Sequence, residues 1–296
     1  MRLRPGTLLS AITVATERAL SSGALQPLHS TLETVEDGGI AFVVRRGASL
    51  ARKPQEQIDR EAAQSVDPFL PYEPNLFVAH LSQTHAALLN KFPVLDHHLL
   101  IVTRAFEHQE TLLNERDFDA LGICLNEFQG LGFYNGGREA GASQDHKHLQ
   151  VVSLPVALRG NDVPIEPLLR RVANTKGIGT VPGLPFRHAY ARLASNTWSQ
   201  PQRAGRLLAE VYRQLLAATD IEGRIIAGEP RQSQPYNLLV ARKWMLLIPR
   251  SRERYASISV NALGFAGSLF VKSDAEFETV QRRGPLGVLT EVAVTR

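Results

Sequence analysis

Short apolar runs separated by turn-forming residues recur along most of the chain. Runs that alternate between apolar and polar positions, or stay apolar over about four to eight positions, are typical of β-strands. They predict strands over residues 41–45, 76–80, 86–91, 98–104, 131–135, 146–153, 236–241 and 244–249. Helical spacing of apolar positions instead predicts helices over residues 1–20, 115–129, 201–218 and 274–283. Strands and helices mix without a regular βα alternation, so the pattern favours the α+β class over a doubly wound parallel sheet.

A stretch rich in proline and glycine lies between two halves that both carry predicted strands and helices. Residues 155–185 contain five prolines and four glycines, and we interpret residues 161–185 as a linker or long excursion. This predicts an N-terminal lobe over residues 1–160 and a C-terminal lobe over residues 186–296. In each half an asparagine precedes a strand that ends at an arginine, at residues 90–104 and 237–250, which is a weak indication of internal duplication.

Composition and charge narrow the class of protein. Of the 296 residues, 44% are hydrophobic and 21% are charged, which is the balance of a folded globular chain. The formal charge of +4 is scattered, so it argues against a nucleic-acid partner bound through basic runs but allows a phosphate-rich ligand. The single Cys124 excludes an internal disulfide framework and favours a reducing, cytoplasmic location. Residues 1–20 carry Thr, Glu and Arg among apolar positions, so we expect an amphipathic helix rather than a signal peptide or a membrane span.

The strongest chemical signal is the segment GASQDHKHLQVV at residues 141–152. If it forms a strand, His146, His148 and Gln150 share one face, while the residues between them point the other way. A face with two imidazoles and an amide is unfavourable to bury without partners, so it is better explained as the floor of a site. The glycines and serine upstream can present backbone N–H groups to phosphate oxygens.

Three interpretations of this face are compatible with the spacing. In the first, a neutral imidazole attacks phosphorus and a second polar group fixes its tautomer. In the second, His146 and His148 bind a metal, although Asp145 is the one nearby candidate for a further ligand. In the third, the histidines lie on a solvated face without chemistry. Spacing alone places the nucleophile slightly ahead of the metal.

The motif His146-x-His148-x-Gln150 resembles the transferase branch of the histidine-triad superfamily, in which Gln replaces the third histidine. Further motifs resemble the ATP adenylyltransferases, also called diadenosine tetraphosphate (Ap4A) phosphorylases. They are LNKF at 89–92, YNGG at 134–137, GASQ at 141–144, YNLL at 236–239, WM at 244–245 with PRS at 249–251, and NALGFAG at 261–267. The matches run from about Lys53 to Leu286, so the resemblance covers most of the chain. It implies a histidine-triad-like antiparallel sheet with flanking helices and two pseudo-repeated lobes.

The resemblance implies a reversible reaction in which Ap4A and inorganic phosphate give ADP and ATP. His148 would attack the α-phosphorus of the adenylyl unit and carry AMP until phosphate displaces it. His146 would orient His148, and Gln150 would donate a hydrogen bond to a phosphoryl oxygen. An amide cannot exchange a proton as a third imidazole could, which suits an intermediate that waits for phosphate rather than water.

The substrate contacts implied by the family are carried over residue by residue. They are Lys53, Asn90, Lys91, Asn135, Gly141, Ala142, Ser143, Gln144, Gln150, Gln234, Tyr236, Asn237 and Arg242. The other histidines, including His98, receive no role at this level. No cofactor is implied; Mg²⁺ is compatible with the charge of four phosphates, but no carboxylate cluster predicts a metal cage.

Other functions stay open from the sequence. A histidine-triad hydrolase would usually have a third histidine at position 150, and a hexose-phosphate uridylyltransferase would show zinc ligands that are not evident here. A nucleotide-binding module without turnover and a zinc hydrolase are further alternatives. The sequence does not specify the preferred base, the phosphate-chain length, the direction that dominates in the cell or the oligomeric state.

Overall fold

The computed structural model describes residues 3–47, 67–158, 162–172, 177–198, 201–226 and 228–296. The strands in these ranges are β1 (Thr31–Asp37), β2 (Ile40–Arg46), β3 (Phe77–His80), β4 (His85–Leu89), β5 (Leu99–Thr103), β6 (Gly130–Gly136), β7 (His148–Ser153), β8 (Ile178–Gly179), β9 (Ala189–Arg192), β10 (Gly223–Ile226), β11 (Glu229–Gln232), β12 (Tyr236–Ala241), β13 (Trp244–Pro249), β14 (Arg254–Tyr255), β15 (Ile258–Ser259) and β16 (Ser268–Val271). The α-helices are α1 (Leu8–Ser21), α2 (Glu115–Glu127), α3 (Glu166–Arg170), α4 (Pro201–Ala218), α5 (Ala262–Ala266), α6 (Asp274–Arg283) and α7 (Pro285–Val292).

The predicted strands and helices are confirmed, with ends that shift by one or two residues for most of them and by more where α1 begins. At the N-terminus of α2, residues close together in the sequence fix where the helix begins, so its start could be predicted locally. Asn114 accepts a hydrogen bond from the backbone N–H of Arg116, and the Asp117 carboxylate accepts one from the N–H of Asn114. Between β15 and β16 the chain forms a short helix, α5, whose N-terminus is capped by Asn261.

Nine strands form one antiparallel sheet in the order β3-β4-β5-β7-β6-β12-β13-β9-β8. Apart from the separate hairpin β10-β11, which precedes β12, the succession strand, strand, helix, strand, strand occurs twice, as β4-β5-α2-β6-β7 and as β8-β9-α4-β12-β13. Both copies have the same order in the sheet, and β6 pairs with β12 where they meet. In this arrangement β13 corresponds to β7 and not to β5, so the duplication hint taken from residues 90–104 and 237–250 aligned the wrong strands.

The two faces of the sheet are covered differently. Helices α1, α2 and α4 pack on one face, where their apolar side chains form a continuous core with the sheet. On the other face, the small sheet β1-β2-β16 and helices α3, α5, α6 and α7 cover the half around β12 and β13. A much smaller apolar cluster around Phe69, Leu88 and Val102 lies on that face near β4 and β5. This arrangement is α+β, as predicted.

The segment interpreted as a linker or long excursion is part of the core. Within residues 161–185 the structure describes helix α3 and strand β8, and Val163, Leu168 and Val181 are fully buried. This burial favours the excursion over an exposed linker. The division at residues 160 and 186 stays a prediction. Among the described helices, none is long and apolar enough to cross a membrane.

Candidate active site

Strand β7 carries the predicted chemical face. It lies between β5 and β6, with His148 opposite Val102 and Gln150 opposite both Leu100 and Phe133. Leu149 and Val151 point into the helix-covered core, so His148 and Gln150 lie on the other face, as the alternation predicted. His146 precedes the strand in an isolated bridge to His108 and is also buried.

Hydrogen bonds define the tautomer and position of His148. Its Nδ1 lies 2.8 Å from the backbone oxygen of His146. A carbonyl can only accept, so Nδ1 carries the proton and Nε2 carries the lone pair of the neutral ring. The buried Gln109 side chain accepts from the His148 backbone N–H at 2.8 Å and donates to the His148 carbonyl at 3.2 Å. The imidazole that was predicted to be the nucleophile is therefore held with Nε2 as its basic atom.

His146 supports His148 through its backbone and not through its ring. Nδ1 of His146 lies 2.6 Å from Oδ2 of Asp67, and Nε2 lies 2.8 Å from Oγ1 and 2.9 Å from the carbonyl oxygen of Thr103. The carbonyl of His146 contacts His148, while its ring has other partners, and the orienting role of His146 stays a prediction. Because both ring nitrogens are engaged by protein oxygens, His146 is not set up as a metal ligand. Within the described residues, no group of three or more His, Cys, Asp or Glu side chains is arranged to hold a metal ion.

Gln150 belongs to a chain of hydrogen bonds that includes a histidine without a predicted role. Its Oε1 lies 2.8 Å from Nε2 of His98, and Nδ1 of His98 lies 3.2 Å from Nδ2 of Asn90. Burial lowers the pKa of His98 to about 4, so the ring is neutral at physiological pH. Asn90 then donates to Nδ1, and Nε2–H donates to the oxygen of Gln150. The Gln150 amide nitrogen is thereby oriented as a donor on the face that carries His148.

The loop before β7 approaches the second half of the chain closely. Gly141 has φ +89°, and a Cβ there would lie 2.9 Å from the carbonyl oxygen of Val260, so this position requires glycine. The backbone N–H of Ala142 donates to the carbonyl of Gly137 and closes the loop. Ser143 is exposed and Gln144 is half-buried, as expected for residues that line an open path to the histidines.

Two predicted substrate contacts, Asn135 and Asn237, are parts of a buried network. Asn237 donates to Oδ1 of Asn135 at 2.9 Å and to the carbonyl of Ala140 at 2.8 Å. Its own Oδ1 accepts from Arg250 at 2.6 Å, and Oδ1 of Asn135 also accepts from the N–H of Ala262. Both asparagines are at most 2% exposed. Their hydrogen bonds join β6, β12, α5 and the loop before β7, which gives both residues a structural role, and contact with substrate stays a prediction.

Tyr236 and Arg242 also lie away from the site. Tyr236 is fully buried on the helix-covered face, where its hydroxyl lies 2.5 Å from that of Tyr212. Arg242 follows β12 at the turn to β13 and contacts Asn126 at the end of α2. About 16 Å of extended chain separates Arg242 from Asn237, toward the opposite end of the sheet from His148.

The remaining predicted contacts divide into three cases. Gln234 donates to the carbonyl of Thr219 near the end of α4, which assigns it a local role. Lys91 is half-buried in the β4–β5 loop beside Asn90, with its ammonium 5.4 Å from the Phe92 ring centroid. Lys53 lies outside the described residues.

Sequence reasoning missed Asp67, Phe69, His98 and Gln109. Phe69 packs edge-on against the rings of His146 and His148, at centroid distances of 5.6 and 5.2 Å. His98 had a usable signal, because strand parity places it on the face of Leu100, which lies opposite Gln150. Asp67 and Gln109 lie in loops, and nothing in their local pattern indicated a partner.

Two family models match the chain, each over a different part of it. Residues 1–171 match the model of the Ap4A phosphorylase N-terminal domain, which is more than half of the chain. Residues 182–295 match that of the ATP adenylyltransferase C-terminal domain. The chain belongs to the Ap4A phosphorylase family. The resemblance drawn from the motifs is therefore confirmed.

Other Ap4A phosphorylases match this chain over most of its length. Diadenosine 5',5'''-P1,P4-tetraphosphate phosphorylase 2 of Saccharomyces cerevisiae is 27% identical over 288 residues, which cover 88% of this chain and 86% of the relative. The crystal structure of yeast Ap4A phosphorylase Apa2 has a TM-score of 0.80 at 24% identity, covering 100% of this chain and 99% of that one. The fold is therefore shared, and Apa2 has also been crystallised in complex with Ap4A and with AMP.

Proposed function

We propose that this protein is an Ap4A phosphorylase that reversibly converts Ap4A and inorganic phosphate into ADP and ATP, with AMP held covalently on His148. The observation that carries the proposal is the hydrogen bond from Nδ1 of His148 to the carbonyl of His146, at 2.8 Å. It leaves the lone pair of the neutral ring on Nε2, on the polar face of β7. Family membership supplies the substrate class, and this geometry supplies the nucleophile.

In the first half-reaction, the lone pair of Nε2 forms a bond to the α-phosphorus, and the bond from that phosphorus to its bridging oxygen breaks. ATP leaves with the bridging oxygen and its electrons. The imidazole then carries the phosphoryl group on Nε2 and a proton on Nδ1, and is therefore positively charged. The carbonyl of His146 already accepts that proton's hydrogen bond, which strengthens as the ring becomes cationic.

In the second half-reaction, an oxygen of inorganic phosphate attacks the same phosphorus, the N–P bond breaks, and ADP leaves. His148 returns to its neutral form with the proton still on Nδ1. No step needs a general acid or base next to the phosphorus, because the attacking phosphate already carries a negative oxygen. Water has no such charge and would need a base, which the Gln150 amide cannot provide.

The Asn90–His98–Gln150 chain supports a binding role for Gln150. With Oε1 occupied by His98, the amide nitrogen can donate to a non-bridging phosphoryl oxygen. We place Asn90, Lys91, Ser143 and Gln144 along the path of the nucleotide, since all four lie in loops at the ends of site strands. Lys53 stays a prediction for the polyphosphate, and Mg²⁺ is compatible with it. The single, fully buried Cys124 supports work in the cytoplasm, where thiols stay reduced.

The deciding experiment incubates the protein with Ap4A, with and without inorganic phosphate, and resolves the nucleotide products. We expect ADP and ATP only when phosphate is present. AMP and ATP without added phosphate would make the protein a hydrolase, and no product would make it a binding module.

The nucleophile is tested with Ap4A radiolabelled at the α-phosphorus. The wild-type protein should become labelled, and His148→Ala should not. His29→Ala serves as the matched control, because His29 is exposed and lies on the connection between α1 and β1. Labelling of His148→Ala at the wild-type level would move the nucleophile to another residue.

A further inference from the structure

The ring of His146 is held on both sides. Nδ1 lies 2.6 Å from a carboxylate oxygen of Asp67, which can only accept, so Nδ1 carries a hydrogen. Nε2 lies 2.8 Å from the hydroxyl oxygen and 2.9 Å from the carbonyl oxygen of Thr103. The hydroxyl can donate to Nε2 or accept from it, so these contacts fix the ring with either one or two hydrogens on it. Asp67 thereby places a hydrogen on Nδ1 of His146 and fixes the orientation of the ring.

The surroundings strengthen this contact. The His146 side chain is fully buried, and the Asp67 side chain is only 20% exposed. The rings of Phe69 and Phe106 lie edge-on to the imidazole at centroid distances of 5.6 and 5.4 Å. Exclusion of water by these rings lowers the local dielectric constant, and a hydrogen bond to a carboxylate is stronger there than at the surface.

Asp67 is connected to His148 by two short routes. Through Oδ2 it holds the ring of His146, whose backbone carbonyl accepts the Nδ1–H of His148. Through Oδ1 it accepts a hydrogen bond of 2.9 Å from the N–H of Phe69, whose ring lies against His148 at 5.2 Å. One carboxylate thus braces the neighbour of the nucleophile and the aromatic ring that contacts it.

We propose that Asp67 is a positioning residue for the nucleophile: it holds the ring of His146 through Nδ1 and thereby fixes the carbonyl that holds Nδ1 of His148. The inference rests on the proposed function for its catalytic consequence. During adenylylation the ring of His148 becomes cationic, and the benefit of that carbonyl depends on its direction. Asp67 acts on the rate of adenylylation and does not contact the nucleotide.

The first test is spectroscopic and needs no activity. In ¹⁵N-histidine-labelled wild-type protein at neutral pH, Nδ1 of His146 should resonate as a protonated nitrogen, because it donates to Asp67. In Asp67→Asn, the amide can donate to Nδ1, so Nδ1 should move to the unprotonated range while Nε2, which then donates to the Thr103 carbonyl, resonates as protonated. The His146 signals are assigned by their loss in His146→Asn. An unprotonated Nδ1 in the wild-type protein would overturn the proposal.

The second test measures single-turnover adenylylation of His148 with Ap4A. In Asp67→Asn the rate constant should fall by about 10- to 100-fold, the range expected when one charge-assisted hydrogen bond stops supporting the reacting geometry. The dissociation constant for AMP should stay within about twofold, because no nucleotide contact is removed. Asp274→Asn, at an 84% exposed carboxylate paired with Arg46, is the matched control and should react as the wild type does.

The outcomes separate this inference from the proposed function. If the wild-type protein is not adenylylated at all, the proposed function fails, while the spectroscopic test of the contact between Asp67 and His146 still stands. If the wild type is adenylylated and Asp67→Asn reacts equally fast, Asp67 has no positioning role. A loss of AMP affinity that accounts for the whole loss of rate would also overturn the proposal, since it would place Asp67 in binding.

Discussion

Replacement of Asn237 by alanine distinguishes the two roles that sequence and structure assign to it. A residue that binds nucleotide should raise KM when it is removed and leave stability nearly unchanged. A residue that holds buried elements together should lower the free energy of unfolding. Asn237 is fully buried and forms three hydrogen bonds with protein atoms, so we expect the second result.

The size of the effect follows from those three bonds. Two join neutral groups, and each contributes about 1 kcal/mol, while the bond from Arg250 joins a charged donor and contributes about 1.5–3 kcal/mol. Arg250 keeps the carbonyl of Val260 at 2.9 Å, and Asn135 keeps the N–H of Ala262. These remaining partners limit the loss, so Asn237→Ala should lower the free energy of unfolding by about 3 kcal/mol. In a chain of this size that corresponds to a fall in Tm of roughly 5 °C.

The assay combines thermal unfolding with steady-state kinetics on the same preparations. Well below Tm, KM for Ap4A should stay within about threefold of the wild-type value, because no group that faces the substrate is lost. Asn75→Ala is the control, since the half-buried Asn75 bonds only to Glu73 through its side chain and its removal should change stability by less than about 0.5 kcal/mol. An unchanged Tm together with a tenfold or greater rise in KM would refute the network assignment and return Asn237 to the binding site.

Three further outcomes are expected. Lys147→Met should lower the free energy of unfolding, measured in urea, by about 3–5 kcal/mol, because it leaves the fully buried Asp117 carboxylate without the ammonium group at 2.7 Å. The double variant K147M/D117N should recover part of the loss, and a change below about 1 kcal/mol in Lys147→Met would contradict the expectation. The pKa of His98 is about 4 in the folded protein and about 6.5 when unfolded, so the unfolded chain binds the proton more tightly and stability should fall as pH drops from about 6.5 to about 4. In His98→Asn the free energy of unfolding should fall less steeply over that pH window than in the wild type. An unchanged slope would contradict the lowered pKa of His98. Burial raises the pKa of the Cys124 thiol, so a thiol reagent should modify it only after denaturant is added, and rapid modification of the native protein would contradict its burial.

Lys147 illustrates how far a local pattern reaches. Strand alternation predicted that it points away from the face of His148 and Gln150, and the structure confirms this with Lys147 buried on the helix side. The pattern did not show that Asp117 of α2 would be there to pair with it, or that Asp117 also contacts His85 at 3.0 Å. The charge of Lys147, between two site histidines, is therefore explained by its ion pair with Asp117, which lies 30 residues away in the chain.

The sequence alone determined the main helices, the strands around the site, the polar face of β7 and the family, because each depends on local spacing or on short contiguous motifs. It could not show that Tyr236 and Asn237 are both buried, since alternation places neighbours on opposite faces without indicating what packs on each face. Tertiary structure decided the partners of the site histidines: Asp67 lies 79 residues from His146, and His98 lies 52 residues from Gln150. A hydrogen bond acts over about 3 Å in space whatever the separation along the chain, so these partners emerge only when the sheet forms and the loops close over it.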